Sequence, residues 1–279
     1  MRDQASKLRK LVLDTARDEH AMKLRAPRVT AIAGGHSGVG ATTLALNLST
    51  ALSNRGLRVL LVDTDLHPDQ DHPSLADHCQ ITSADTIADV LQFRRDIHEV
   101  VQPGPGGIQI VPGVPASQPA VSSTAVDRLL NQCRAMGRHA DLVVLDVGSC
   151  VDAEMQQCCQ QADDLVMVTT PLPNAIMDTY TTLKSLAATP TSQPIYCAVN
   201  QYSANTSDAA TVFERLDRSC RRFLQFGMHS LPPIPRVPQL QTQPIDPIRS
   251  SADNCPAASA LRSCAEILAT RNLTHTAAA

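Results

Sequence analysis

Along most of the chain, short apolar runs alternate with longer amphipathic stretches. Runs such as VTAIA, VLLVD, LVVLD and LVMVT show no polar alternation, which is the signature of strands buried on both faces of a parallel sheet. The pattern predicts strands near Val29–Ala33, Arg58–Asp63, Ile108–Val111, Leu142–Asp146, Leu165–Thr169, Ile195–Asn200 and, more weakly, His229–Ile234. Between them, recurrence at three and four residues predicts helices over Thr42–Asn54, Thr86–Phe93, Thr124–Met136, Asp152–Gln161, Asn174–Ala187, Asp208–Gln225 and Pro256–Arg271. Seven strands with crossover helices make a doubly wound, mostly parallel α/β domain over residues 25–279, with its ligand site expected at the carboxyl ends of the strands.

Residues 1–24 stand outside this rhythm. Asp3 is a suitable cap, and Ala5, Leu8, Leu11, Val12 and Ala16 form a stripe with Lys7, Lys10 and Arg17 elsewhere around the helix. Such an N-terminal helix and linker would either dock on its own body or be held out for a partner.

Composition narrows the function classes. The 279 residues, 43% hydrophobic and 18% charged, suffice for one large core. Net charge is −3, and the 24 Lys and Arg are scattered among 27 Asp and Glu without a basic face, so direct nucleic-acid binding is not expected. Four Phe, three Tyr and no Trp give neither base-stacking platforms nor an interfacial aromatic belt. The nine cysteines show no CxxC pair and read as reduced core thiols; with no apolar leader or membrane-length run, a cytoplasmic location is expected. In the last predicted helix, Ala258, Leu261, Ala265 and Leu268 form a stripe accompanied only by Arg262 and Arg271, which favours packing on the body over direct membrane attachment.

The candidate chemistry lies at three strand ends. GGHSGVGATT, Gly34 to Thr43, follows the first strand and opens a helix whose free N–H groups suit an anion. The second strand ends in Asp63-Thr64-Asp65, and LVVLDVG places Asp146 in an apolar strand where a carboxylate calls for a compensating cation. Singly, Asp65 reads as well as a turn cap and Asn200 as an ordinary loop residue. Jointly these residues favour a nucleotide-magnesium cleft. The crowded run Asp69, Asp71, His72, Asp77, His78 and Cys79 fits no zinc-finger spacing and reads as a solvated loop. No nucleophile elbow supports a Ser hydrolase.

The order of these motifs, with TTPLPNAIMD at 169–178 and AVN at 198–200, resembles the MinD/ParA family of deviant Walker A P-loop ATPases across residues 27–270. Asp3, Gln4, Ala5, Leu8 and Arg9 (D-Q-A-x-x-L-R), with GPGGIQIVPG, VFERLDRSCRRFL and IPR, resemble the FlhG/FleN branch that regulates flagellar number. The resemblance implies ATP or ADP with magnesium as the ligand. It implies that Gly38, Val39, Gly40, Ala41, Thr42 and Thr43 cradle phosphates, that Thr42, Asp63 and Asp146 hold magnesium, that Asp65 orients the attacking water with Asp146 as the Walker B carboxylate, and that Asn200 reads adenine. It further implies a signal-recognition-type flagellar GTPase as partner of residues Asp3 to Arg9, a transcription regulator as another partner, a nucleotide-dependent homodimer, and recruitment to the cell pole or inner membrane face.

One departure changes the expectation. Where the family reads K-G-G-x-G-K-T-T, this chain has His36-Ser37-Gly38-Val39-Gly40-Ala41-Thr42-Thr43, so both lysines are absent. Phosphoryl transfer depends on positioning and charge neutralisation, and losing one preorganised donor costs about 100- to 1,000-fold in rate. Weak binding and weak or absent hydrolysis are therefore expected, in a flagellar regulator acting through its N-terminal helix. The competing expectation is a working ATP-dependent monomer-dimer switch that positions or partitions a cargo.

Overall fold

Strand β1 (Arg28–Gly34) carries the first of the apolar runs, and its alternate residues divide between two hydrophobic layers. Val29, Ala31 and Ala33 enter one, and Ile32 enters the other. The computed structural model describes residues 26–66, 73–83, 85–114, 123–149, 152–189, 192–203, 209–237 and 255–277. The remaining strands are β2 (Val59–Asp63), β3 (Gln102–Pro103), β4 (Gln109–Val111), β5 (Leu142–Ser149), β6 (Asp164–Thr169), β7 (Ile195–Val199) and β8 (His229–Ser230). They form one sheet in the order β3-β4-β2-β5-β1-β6-β7-β8, parallel except for the β3–β4 pair.

One face of the sheet is covered by α3 (Ile87–Leu91), α4 (Ile97–Val100), α5 (Ser123–Ala135), α6 (Ala153–Gln161), α7 (Pro173–Leu186) and α8 (Ala209–Phe223). The other carries α1 (Ala41–Ser53), the short α2 (Leu75–Cys79) and the C-terminal α9 (Pro256–Ala277). Helix α1 is buried on nearly all sides because it lies between the sheet and α9. Ala258, Leu261, Ala265 and Leu268 are buried in this same layer, so their stripe packs on the body as expected. Arg28 forks onto Asp164 (2.8 Å) and Arg58 onto Asp141 (2.7 Å), tying the sheet at the ends of the strands opposite the P-loop.

The doubly wound architecture follows the hydrophobic pattern closely, with three differences. An eighth strand, β3, went unread because two residues ending in proline give no periodic signal and belong at a sheet edge. The short helices α2 and α4 lie within stretches read as loops. The last predicted strand keeps only His229–Ser230 as β8; beyond it Pro232, Pro233 and Pro235 interrupt the ladder, although the Leu231 and Ile234 amides still donate to Cys197 and Val199. The predicted N-terminal helix, with Asp3, Gln4, Ala5, Leu8 and Arg9, lies outside the described residues. Among the described residues, no helix is long and apolar enough to cross a membrane. Burial pushes the thiols of Cys133, Cys197 and Cys264 up to about 12, which leaves them protonated and inert.

Candidate nucleotide site

The loop from β1 to α1 ends at Gly40, which caps the helix in the left-handed region at φ 87°. A side chain there would be strained and would also meet the Asn200 amide, since a Cβ would stand 2.6 Å from its Nδ2. With Gly40 as the cap, Ala41, Thr42 and Thr43 open α1, and the first amides of a helix have no partners within it. They are available to an anion, aided by the helix dipole.

Two carboxylates stand beside this helix start. Asp63 and Asp146 are Cα partners on the adjacent parallel strands β2 and β5. Their registers place both side chains on the α1 side of the sheet, in phase with Leu61 and Val144. The main-chain amides of Asp65 (3.1 Å) and Leu75 donate to Asp63, and that of Gly148 (3.3 Å) donates to Oδ1 of Asp146. Oδ2 of Asp146 is buried and accepts no hydrogen bond. Burial pushes the Asp146 carboxyl up to about 7, opposed by the Thr42 hydroxyl and the Gly148 amide and reinforced by the charge of Asp65. Burial also drives Asp63 well above the usual carboxylate range, with the charges of Asp146 and Asp65 adding to the effect.

Buried, mutually repelling carboxylates with an unfilled acceptor are what a divalent cation would neutralise. By donor chemistry, Thr42, Asp63 and Asp146 are a set that would fit magnesium. When bound, magnesium would neutralise phosphate charge, while the residues of the chain hold and orient the ligand. Asp65 packs against Gly148, which sits at φ 61° and whose added Cβ would come within 2.2 Å of the Asp65 carboxylate. A Gly148→Ala substitution is therefore expected to displace Asp65 and to weaken magnesium-dependent nucleotide binding about tenfold or more, read by calorimetry with and without magnesium.

A cavity of 380 Å³ lies over these groups. Gly38 to Thr43, Asp63, Asp65 and Asn200 all line it, so every expected phosphate residue reaches one space, while Asp146 lies beneath its floor. The Asn200 amide donates to Val39 (2.8 Å) and its oxygen accepts from the Gln201 amide (2.9 Å), bracing the P-loop in this structure. Gln201, in the left-handed region, donates in turn to Gly38 (3.0 Å). Gln201, Arg236, His78 and Ser149 were missed as lining residues. The IPR motif was a signal for Arg236, but its meeting with the P-loop depends on the Arg236 amide bonding Tyr202 (2.9 Å).

Among the described residues the cavity is lined by no lysine. His36, at the first missing lysine, has its Nδ1 2.8 Å from Asp178 on α7, with both side chains about half exposed at 44% and 45%. Ala41, at the second, lines the cavity with a methyl group. Of the acidic and histidine run weighed against zinc, Asp69, Asp71 and His72 lie outside the described residues. Asp77 closes a capping box with Ser74 at the start of α2, burial lowers the His78 imidazole, and burial pushes Cys79 up to about 12. Among the described residues no cluster of three or more such side chains could hold a metal ion by the geometry of protein ligands alone.

The antiactivator FleN of Pseudomonas aeruginosa is 27% identical over 210 residues, covering 75% of this chain and 73% of FleN. The flagellum site-determining protein YlxH of Helicobacter pylori is 27% identical over 160 residues, 55% of this chain and 52% of that one. This match spans about half of the relative's length. Among solved structures, MinD of Pyrococcus furiosus superimposes with a TM-score of 0.68 at 20% identity over 88% of this chain and 99% of that one. MinD of Pyrococcus horikoshii complexed with Mg-ADP gives 0.68 at 21% identity over 88% and 98%; at such identities the likeness is one of fold. Residues 30–246 match the CobQ/CobB/MinD/ParA nucleotide binding domain, and the chain belongs to that family.

Proposed function

We propose that this protein regulates the number or placement of flagella, with a nucleotide site that keeps its fold and magnesium carboxylates but hydrolyses ATP weakly or not at all. The carrying observation is that Thr42, Asp63, Asp65 and Asp146 remain assembled while Ala41 and His36 stand where the family has lysines. The similarity to FleN and YlxH supports the flagellar reading. The pairing of His36 with Asp178 of the same chain supports a site that lacks the charge of the first family lysine. Calorimetric titration with ATP and ADP, with and without magnesium, is expected to show weak, magnesium-dependent binding. Turnover comparable to a two-lysine relative, abolished by Asp65→Ala, would replace this reading with the ATP-dependent switch.

The N-terminal segment would carry the direct activity, acting on a signal-recognition-type GTPase. Leu8, Leu11 and Val12 supply an apolar anchor face, Arg9 a partner for a carboxylate or phosphate, and Gln4 an amide of the type that orients water at a γ-phosphate. Such a helix needs no lysine in its own P-loop. A synthetic peptide of residues 1–20 is expected to stimulate GTP hydrolysis by the cognate GTPase, and a Gln4→Ala peptide to lose most of that stimulation. Equal stimulation by both would remove the role of Gln4, and stimulation by neither would remove that of the helix.

A further inference from the structure

The cavity over the P-loop has two chemically different ends, and the strand order sets them apart. Asp63 and Asp146 belong to β2 and β5, on one side of β1, whereas Asn200, Gln201, Pro235, Arg236 and Val237 follow β7 and β8, on the other. Strands β5 and β7 are separated by β1 and β6, a span of about 14 Å at the usual strand spacing. Asp65 belongs to the first end: its charge acts on both Asp63 and Asp146, and its carboxylate lies against Gly148. The second end offers the apolar side chains of Pro235 and Val237 and the guanidinium of Arg236. Between the two, the amides of Ala41, Thr42 and Thr43 open α1.

These ends fix the direction of a bound nucleotide. Its phosphates must reach the end where Thr42, Asp63 and Asp146 would hold magnesium, so its base takes the end formed by Pro235 and Val237. Phosphates that lie over the start of α1 meet free N–H groups and the positive end of the helix dipole. A further phosphate runs on to where Asp63, Asp65 and Asp146 gather. One divalent ion balances two of these three carboxylates and leaves no positive charge for the addition. Among the described residues the wall has no lysine to make up the difference. Its guanidinium, Arg236, stands at the opposite end, and the His36 ring is turned to Asp178. Like charges in a poorly hydrated site repel far more strongly than in water.

We infer that this chain holds a nucleoside diphosphate in preference to the triphosphate, and that the Asp65 carboxylate is the group that rejects the third phosphate. The inference rests on the reading of this cavity as a magnesium-nucleotide site and names the ligand that such a site selects. Discrimination here comes from a repulsive element left without its counter-charge, since the contacts to the rest of the nucleotide are the same for both ligands.

Calorimetric titration of the full chain at saturating magnesium compares ADP with the non-hydrolysable β,γ-imido analogue of ATP. ADP is expected to bind about fivefold or more tighter. Asp65→Asn should reduce that preference to about twofold or less by tightening the triphosphate analogue more than ADP, and Asp65→Glu, which keeps the charge, should preserve it. Ala41→Lys adds a cation to the wall and should erode the preference in the same direction, which keeps the test decisive if Asp65→Asn does not fold. A triphosphate analogue that binds the wild-type chain as tightly as ADP, or a preference unchanged in a folded Asp65→Asn or Ala41→Lys variant, would overturn the inference and leave the nucleotide reading standing. Failure of both nucleotides to bind would overturn that reading and the inference with it.

Discussion

Replacing Ala41 with lysine, together with His36→Lys and Ser37→Gly, is expected to raise ATP turnover about a hundredfold or more, the size of effect seen when a preorganised charge donor is regained at a phosphoryl-transfer site. The remaining parts are in place: Thr42, Asp63 and Asp65 line one cavity, with Asp146 directly below. Position 41 is on the wall of that cavity, where the family's second lysine stands. Phosphate release at saturating magnesium-ATP measures the gain. The same variant should gain ATP-dependent dimerisation by light scattering, whereas the wild-type chain should keep one oligomeric state with and without ATP. An unchanged rate in a variant that binds ATP would show that the defect lies outside the missing lysines.

Asp146 gives the second large effect. Its carboxyl stands at about 7 in the folded chain against an ordinary 3.8, so between these values the folded state holds a proton that the unfolded state has released. Stability without magnesium therefore falls as pH rises from about 4 through 7, a loss on the order of 2–4 kcal/mol at pH 8. The elevated Asp63 carboxyl acts in the same direction. Magnesium should reverse the slope, because its binding releases these protons and is favoured as pH rises. Asp146→Asn is expected to raise the magnesium-free melting midpoint at pH 8 by roughly 5–10 °C and to abolish stabilisation by magnesium-nucleotide. Scanning calorimetry at pH 6 and 8 measures both. A wild-type midpoint that rises across this range without magnesium would contradict the assignment of a buried, protonated carboxyl.

The apolar runs determined the sheet, because a strand buried on both faces has few sequence alternatives, and β1, β2, β5, β6 and β7 lie within a residue or a few of where those runs placed them. The P-loop and its missing lysines were also legible, since a glycine-rich strand-to-helix turn is a local feature. Asp146 stood out as a carboxylate within LVVLD. Its pairing with Asp63 did not, because register between strands distant in sequence is chosen by packing across the whole sheet. Tertiary structure likewise decided that His36 faces Asp178, that the Asn200 amide braces Val39, and that Gln201 and Arg236 reach the cavity over the P-loop. Each of these joins segments that the chain brings together only through the β1–β6–β7–β8 side of the sheet, and no local periodicity records such a meeting. The short elements β3, α2 and α4 were illegible for the converse reason: they span too few residues to show a period, and contacts with β4, with α1, and with α3 and α5, respectively, hold them in place.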